Sequence, residues 1–295
     1  MSRTPELLLN LHCELAENPL WDSERELLYW TDIPKGRVHW CDPKTRAHGI
    51  LHEGEPVGGF TLEADGALLL FQKDRIARVG LDGQARTLVE DIDPGMTRFN
   101  DVIADPEGRV FAGTIAEHPE NGGLFRVDPG GPIRSLLRGT CCSNGIAFSP
   151  DLEFLYWTCS TRGRIYRFRY NRRAGELSDE TVLVEVPPEE GIPDGLTADG
   201  TGCLWSALWG GHSLRRLSPD GQALDRIDMP VANVTSLTFG GSDLDTLFIT
   251  TAKGDTKTHP EDGAIYFVRP GARGRTEFRS RIGMIPFQSA ARHGG

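Results

Sequence analysis

What most limits the folds open to this chain is a unit that returns six times: a turn rich in Asp, Pro or Gly, followed by an apolar run that usually holds an aromatic residue. It occurs at 22–30, 65–71, 105–111, 150–157, 199–205 and 243–249. With Trp30, Phe71, Phe111, Trp157, Trp205 and Phe248 as markers, the spacing is about 40 to 48 residues, the period of a propeller blade of four strands. Such a unit cannot bury its apolar face alone, so its neighbours must cover it. Each unit continues into a run of alternating polarity, such as Arg164-Ile165-Tyr166-Arg167-Phe168, which fits a half-buried strand. Stretches such as 85–90 and 181–186 supply the outermost strands, and a strand at 6–11 is expected to pair with the last blade and close the ring. The expected fold is all-β, a six-bladed β-propeller with four-stranded blades around a central channel. No Pro/Ser-rich linker divides the chain, so residues 1–295 are read as one domain.

Composition narrows the partners. The 35 glycines and 19 prolines suit many tight turns. A formal net charge of −10 without a dominant Lys/Arg run gives no electrostatic footprint for nucleic acid. The basic cluster from Arg162 to Arg173 reads as the solvated outer edge of one strand pair. The start of the chain lacks the apolar region of a secretory signal, and no run of about 18 apolar residues occurs, so a soluble, cytoplasmic protein with no membrane partner is expected. No protein partner can be inferred. The six cysteines form no C-x-x-C pair and are read as small buried hydrophobes in a reducing compartment.

Propeller blades share a register, and the register exposes a pattern. Glu17, Asn100, Asn144 and Asp194 each stand five residues before the turn positions Asp22, Asp105, Ser149 and Asp199. The same position in the other two units falls near Gly59 and Thr235. Inner strands line the channel, so four side-chain oxygens from four blades should meet at one end of it. Two carboxylates and two carboxamides make a hard oxygen site carrying about two negative charges, suited to calcium, magnesium or manganese. No histidine or cysteine shares the register.

Several motifs also carry a resemblance. Glu17-Asn18-Pro19-Leu20-Trp21, Arg98-Phe99-Asn100-Asp101 with Ala112-Gly113-Thr114, Ser143-Asn144-Gly145-Ile146 and Pro193-Asp194-Gly195 are similar to those of the senescence marker protein (regucalcin) and gluconolactonase family. The likeness spans nearly the whole chain, including Leu204-Trp205-Ser206-Ala207-Leu208-Trp209-Gly210-Gly211. It implies a six-bladed propeller with one catalytic divalent metal ion, calcium first, with magnesium, manganese, zinc or iron(II) as substitutes. The implied reaction is hydrolysis of a small-molecule sugar lactone to an aldonic acid. The resemblance gives Glu17, Asn144 and Asp194 to the metal, with Asp194 also the general base, and Arg98 and Asn100 to the substrate. Glu117 and His118 occupy the place where some relatives use two acids, the second of them on sugar hydroxyls. Asn18 and Val102 stand where the family usually has glycine.

The chemistry is self-consistent. A divalent ion polarises the lactone carbonyl, a carboxylate accepts a proton from water, and a guanidinium orients the ring. Asp101 and Glu117 are the next candidates for the base. A nucleophilic serine is not indicated, because no G-x-S-x-G elbow occurs. The alternatives are a metal-dependent phosphotriesterase and a non-catalytic calcium-binding propeller. Arg98 beside the ligand register favours an enzyme.

Overall fold

The computed structural model describes residues 4–80, 82–254 and 259–287. Its strands form six antiparallel sheets of four. The innermost strands of blades 1 to 6 are Ala16–Asp22, Gly59–Leu62, Arg98–Ala104, Ser143–Phe148, Ile192–Ala198 and Val234–Gly240. They touch one another in sequence around the axis, and Ala16–Asp22 meets Val234–Gly240 to complete the ring. The expected N-terminal strand is Glu6–Leu9, which pairs antiparallel with Ile265–Val268 as the fourth strand of blade 6. The expected outer strands are Ala85–Val89 and Glu176–Glu185. No helix among the described residues is long and apolar enough to cross a membrane.

The core is distributed between blades. Six apolar clusters are found among the described residues, one at each junction of neighbouring blades. The aromatic markers of the repeat lie in these clusters: Trp30, Phe71, Phe111 and Trp205 are fully buried, and Phe248 stacks on Trp21 at 5.6 Å. Each fully buried Phe or Leu contributes roughly 1.5–3 kcal/mol relative to exposure. The seams between blades therefore hold the ring together.

The turn acids sit at the end of the ring remote from the ligand register and anchor it there. Asp22, Asp105 and Asp199 are buried and accept bonds from nearby backbone N–H groups and from Arg25, Arg109 and Arg216. The segment 270–287 crosses this same end and engages every blade. Arg273 O accepts from Gly200 N of blade 5, and Gly274 N donates to Leu244 O of blade 6. Arg275 reaches Ser149 O of blade 4, Arg279 reaches Asp22 of blade 1, Ser280 bonds Thr61 of blade 2, and Arg281 N donates to Gly108 O of blade 3. Ile282 is fully buried at the junction of blades 2 and 3. Glu277 points into the channel, where a void of about 50 Å³ remains between it and Asp101.

Candidate metal centre and substrate cleft

Where the ligand register lies, the inner strands stop being regular. In blades 1, 3, 4 and 5 the pairing with the second strand slips between Glu17 and Leu20, Phe99 and Val102, Ser143 and Ile146, and Pro193 and Leu196. Each slip is a bulge that admits extra backbone and re-aims a side chain. Asn100, Asn144 and Asp194 occupy the bulges and Glu17 begins one. Glycine follows two of them for a steric reason. A Cβ on Gly145 would stand 2.3 Å from Leu196 N, and one on Gly195 would stand 2.2 Å from Ser236 Oγ, so neighbouring inner strands meet there backbone to side chain.

Blades 1 and 3 solve the same problem differently. Asn18, where glycine is usual, takes φ 48°, a left-handed conformation that Asn tolerates better than most residues. Its side chain spans the channel, donating to Asp101 Oδ1 at 3.1 Å and accepting from Phe60 N at 2.6 Å. Blade 2 thus contributes a backbone group, not a ligand. Val102 is buried, and Gly59 opposite leaves it room, since a Cβ there would lie 3.0 Å from Val102 Cγ2.

The structure brings Glu17, Arg98, Asn100, Asn144 and Asp194 together on one cleft of about 330 Å³. Arg98 donates to Asn100 Oδ1 at 2.5 Å; Asn100 Nδ2 donates to Asn144 Oδ1 at 3.1 Å; Asn144 Nδ2 donates to Ser160 Oγ at 3.2 Å. Ser160 donates in turn to Pro193 O, at 2.7 Å, beside Asp194. This chain fixes the amide orientations and leaves the carboxylates of Glu17 and Asp194 facing the cleft. Leu15, Ile115, Ile192 and Trp209 supply apolar walls. Glu117 and His118 are exposed on the loop after Val110–Ile115 and lie outside the residues that line the cleft.

Electrostatics show what the site lacks. Burial, then the charge of Asp101, raises Glu17 to about 8. Burial raises Asp101 to about 7. Burial, then Glu17 and Asp101, pushes Asp194 well above the usual carboxylate range, against the pull of Arg98. Asp194 Oδ1 is buried without a hydrogen-bond partner. Buried carboxyls that hold their protons because their anions would repel one another, with an unpartnered oxygen among them and one arginine nearby, are short of positive charge. An oxygen donor set of two carboxylates and an amide fits a hard divalent cation.

Sequence reasoning missed some participants. Cys142 lines the cleft and its thiol is pushed up to about 12 by burial and then by Asp194. Composition alone groups it with the buried cysteines, although it directly precedes Ser143-Asn144. Ser160 and Thr161 come from the far end of a second strand, where the repeat has no recurring signature.

Comparison with known proteins identifies the family. The profile of the SMP-30/Gluconolactonase/LRE-like region matches residues 15–253. The chain is 40% identical over 285 residues to pentonolactonase XacC of Haloferax volcanii, covering 93% of this chain and 97% of that protein. It is 32% identical to a 6-deoxy-6-sulfogluconolactonase of Pseudomonas putida, covering 94% and 98%. A solved luciferin-regenerating enzyme superposes with a TM-score of 0.86 at 26% identity, covering 95% of this chain and all of that one. A profile match across most of the length, with a relative 40% identical over 93% of the chain, places this six-bladed propeller in the SMP-30/gluconolactonase/LRE-like family.

Proposed function

We propose that this protein is a divalent-metal-dependent hydrolase that opens sugar (aldono-) lactones to aldonic acids. The observation that carries the reading is Asp194 Oδ1, a buried carboxylate oxygen without a partner at the floor of a cleft shared with Glu17, Asn144 and Arg98. The names of the pentonolactonase and sulfogluconolactonase relatives support the substrate class. Glu17, Asn144 and Asp194 would hold the ion, calcium by the hardness of the donor set, and when bound it supplies Lewis acidity toward the lactone carbonyl.

The chain's own residues do the rest. Asp194 accepts a proton from the attacking water as the water oxygen adds to the carbonyl carbon. That proton passes to the ring oxygen as the ring C–O bond breaks, leaving a hydroxyl and a carboxylic acid. Arg98 offers guanidinium N–H groups to the lactone oxygens, and its bond to Asn100 Oδ1 fixes its direction. Asn100 holds the Asn144 amide. The apolar walls at Leu15, Ile115, Ile192 and Trp209 suit the C–H face of a sugar ring and shed water from it. Glu117 and His118, exposed on the adjoining loop, are proposed to meet only the distal hydroxyls of a substrate long enough to leave the cleft.

A panel of glucono-, galactono-, xylono- and arabinolactones, assayed after chelation and re-addition of single metals, tests the reading. Loss of turnover on chelation and its recovery with calcium are expected. Undiminished lactone hydrolysis in exhaustively chelated protein would remove the metal from the proposal. Faster turnover of a phosphotriester than of any lactone would replace the substrate class.

A further inference from the structure

A second set of metal-binding side chains lies outside the cleft. Cys13 is in the connector that leads from Glu6–Leu9, the strand that completes blade 6, into the inner strand of blade 1. Asp32 ends the second strand of blade 1 and His39 lies on its third. One ligand atom from each lies within 4.8 Å of the others, and all three residues are buried.

Each of the three is held in place. Asp32 accepts from Leu15 N at 3.1 Å and Glu14 N at 3.3 Å, so the connector is wrapped around its carboxylate, and Lys35 stands 3.4 Å away. The His39 ring stacks on Trp30 at 5.2 Å and 8°. His39 is only 7% exposed, and its Nε2 has no hydrogen-bond partner. Trp30 Nε1 faces Cys13 Sγ without completing a hydrogen bond. A buried polar group without a partner is costly, so the His39 nitrogen, an acceptor or ligand in the neutral ring, calls for a missing partner.

We propose that Cys13, Asp32 and His39 form a second metal site, selective for zinc or a comparable borderline cation, that ties the closing connector of the ring to blade 1. Thiolate, imidazole and carboxylate are the donors zinc takes, whereas the cleft offers oxygen alone. The two sites therefore sort metals by donor softness. Tetrahedral zinc with bonds of about 2.0–2.3 Å sets its donors about 3.3–3.8 Å apart, within reach of small side-chain rotations from the observed cluster. A fourth position is left for water.

The charges also balance. Burial lowers the pKa of His39, which keeps the imidazole in its neutral, metal-binding form, and burial holds Cys13 as a thiol. On binding, Cys13 Sγ–H releases its proton to solvent and the new thiolate bonds the metal. One dication then matches one thiolate and one carboxylate, and Lys35, a third exposed and 3.4 Å from Asp32, turns its ammonium toward solvent. The indole N–H of Trp30 is placed to donate to the bound sulfur, an outer hydrogen bond of the kind that steadies metal ligands.

The test uses full-length protein, stripped by chelation, reloaded with calcium to fill the oxygen site and then titrated with cobalt(II). We expect one equivalent of cobalt per chain with a cobalt–thiolate charge-transfer band that stoichiometric zinc abolishes. Cys13→Ser should lose the band while Cys142→Ser keeps it, and His39→Gln should lower zinc affinity by at least about 100-fold, the upper end of what loss of a mere supporting contact does. A wild-type titration without a thiolate band would overturn the proposal and leave a buried water as the missing partner. Persistence of the band in Cys13→Ser would overturn it too. Should either variant fail to fold, X-ray absorption on zinc-loaded wild type decides: one sulfur scatterer supports the site, and a shell of oxygen and nitrogen alone rejects it.

Discussion

Asp194 carries two proposed roles, and one substitution separates them. Asp194→Asn keeps an oxygen near the cation but removes the proton acceptor, so at saturating metal kcat is expected to fall by about 10²- to 10⁴-fold, the usual contribution of a positioned base. Asn144→Asp is expected to lose far less, because it retains an oxygen donor and adds charge. Near-parent turnover by Asp194→Asn at measured full occupancy would leave Asp194 a ligand only. The raised carboxyls give a second prediction. In chelated protein Glu17 titrates at about 8 and Asp101 at about 7, whereas in an unfolded chain both titrate near 4. The folded form therefore holds more protons than the unfolded form across that window, and its stability drops as pH rises through it. Chelated protein should melt lower at about pH 8.5 than at about pH 5.5, and calcium should close most of that gap. Equal melting temperatures without metal would mean that the acids are already compensated. Glu17, Asn100, Asn144 and Asp194 were legible because each precedes its turn by a fixed count. Asp101 was named only as a reserve base, and Cys142 and Ser160 were not legible at all, since burial and mutual repulsion belong to residues far apart in sequence.

At the level of the strand, the bulge is what turns an ordinary inner edge into a set of inward-facing donors. Its glycines are spacers between blades. Gly195→Ala would put a Cβ 2.6 Å from Ser236 Cα, and overpacking of this kind costs about 1–3 kcal/mol. Because the strain falls beside Asp194, metal affinity is expected to drop along with stability, as urea denaturation and calcium titration would register. A stable variant with unchanged affinity would show that the strand shifts freely. The turns and the aromatic second strands were readable from the repeat. The bulges were not: strict alternation has no place for an extra residue, and Asn-Gly and Asp-Gly read first as turn dipeptides. The exposure of Glu117 and His118 was hidden for a similar reason, since the short turn Pro119–Asn121 carries them off the strand.

For the molecule as a whole, the ring of blades was legible from periodicity, and so was its closure by an N-terminal strand. The segment 270–287 was not, because it has no period and its partners are backbone and side-chain groups scattered over six blades. Ile282 gives its weight a measure. The side chain is fully buried between blades 2 and 3, and Ile282→Ala is expected to cost about 2–5 kcal/mol in equilibrium denaturation of the calcium-loaded protein. A loss below about 1 kcal/mol would make the segment a passive cover, since well-packed isoleucines cost more than that. The strand Glu6–Leu9 has a further consequence through its partner Ile265–Val268. On the ribosome the first strand made must wait for the last, so a nascent chain carries open sheet edges at both ends of a growing arc. Donors from blades 1, 3, 4 and 5 cannot face one another until that arc has bent shut. Capture of the proposed cation would thus belong to the released chain, and if that cation is calcium, a cell short of it should accumulate completed but empty rings before it accumulates misfolded ones.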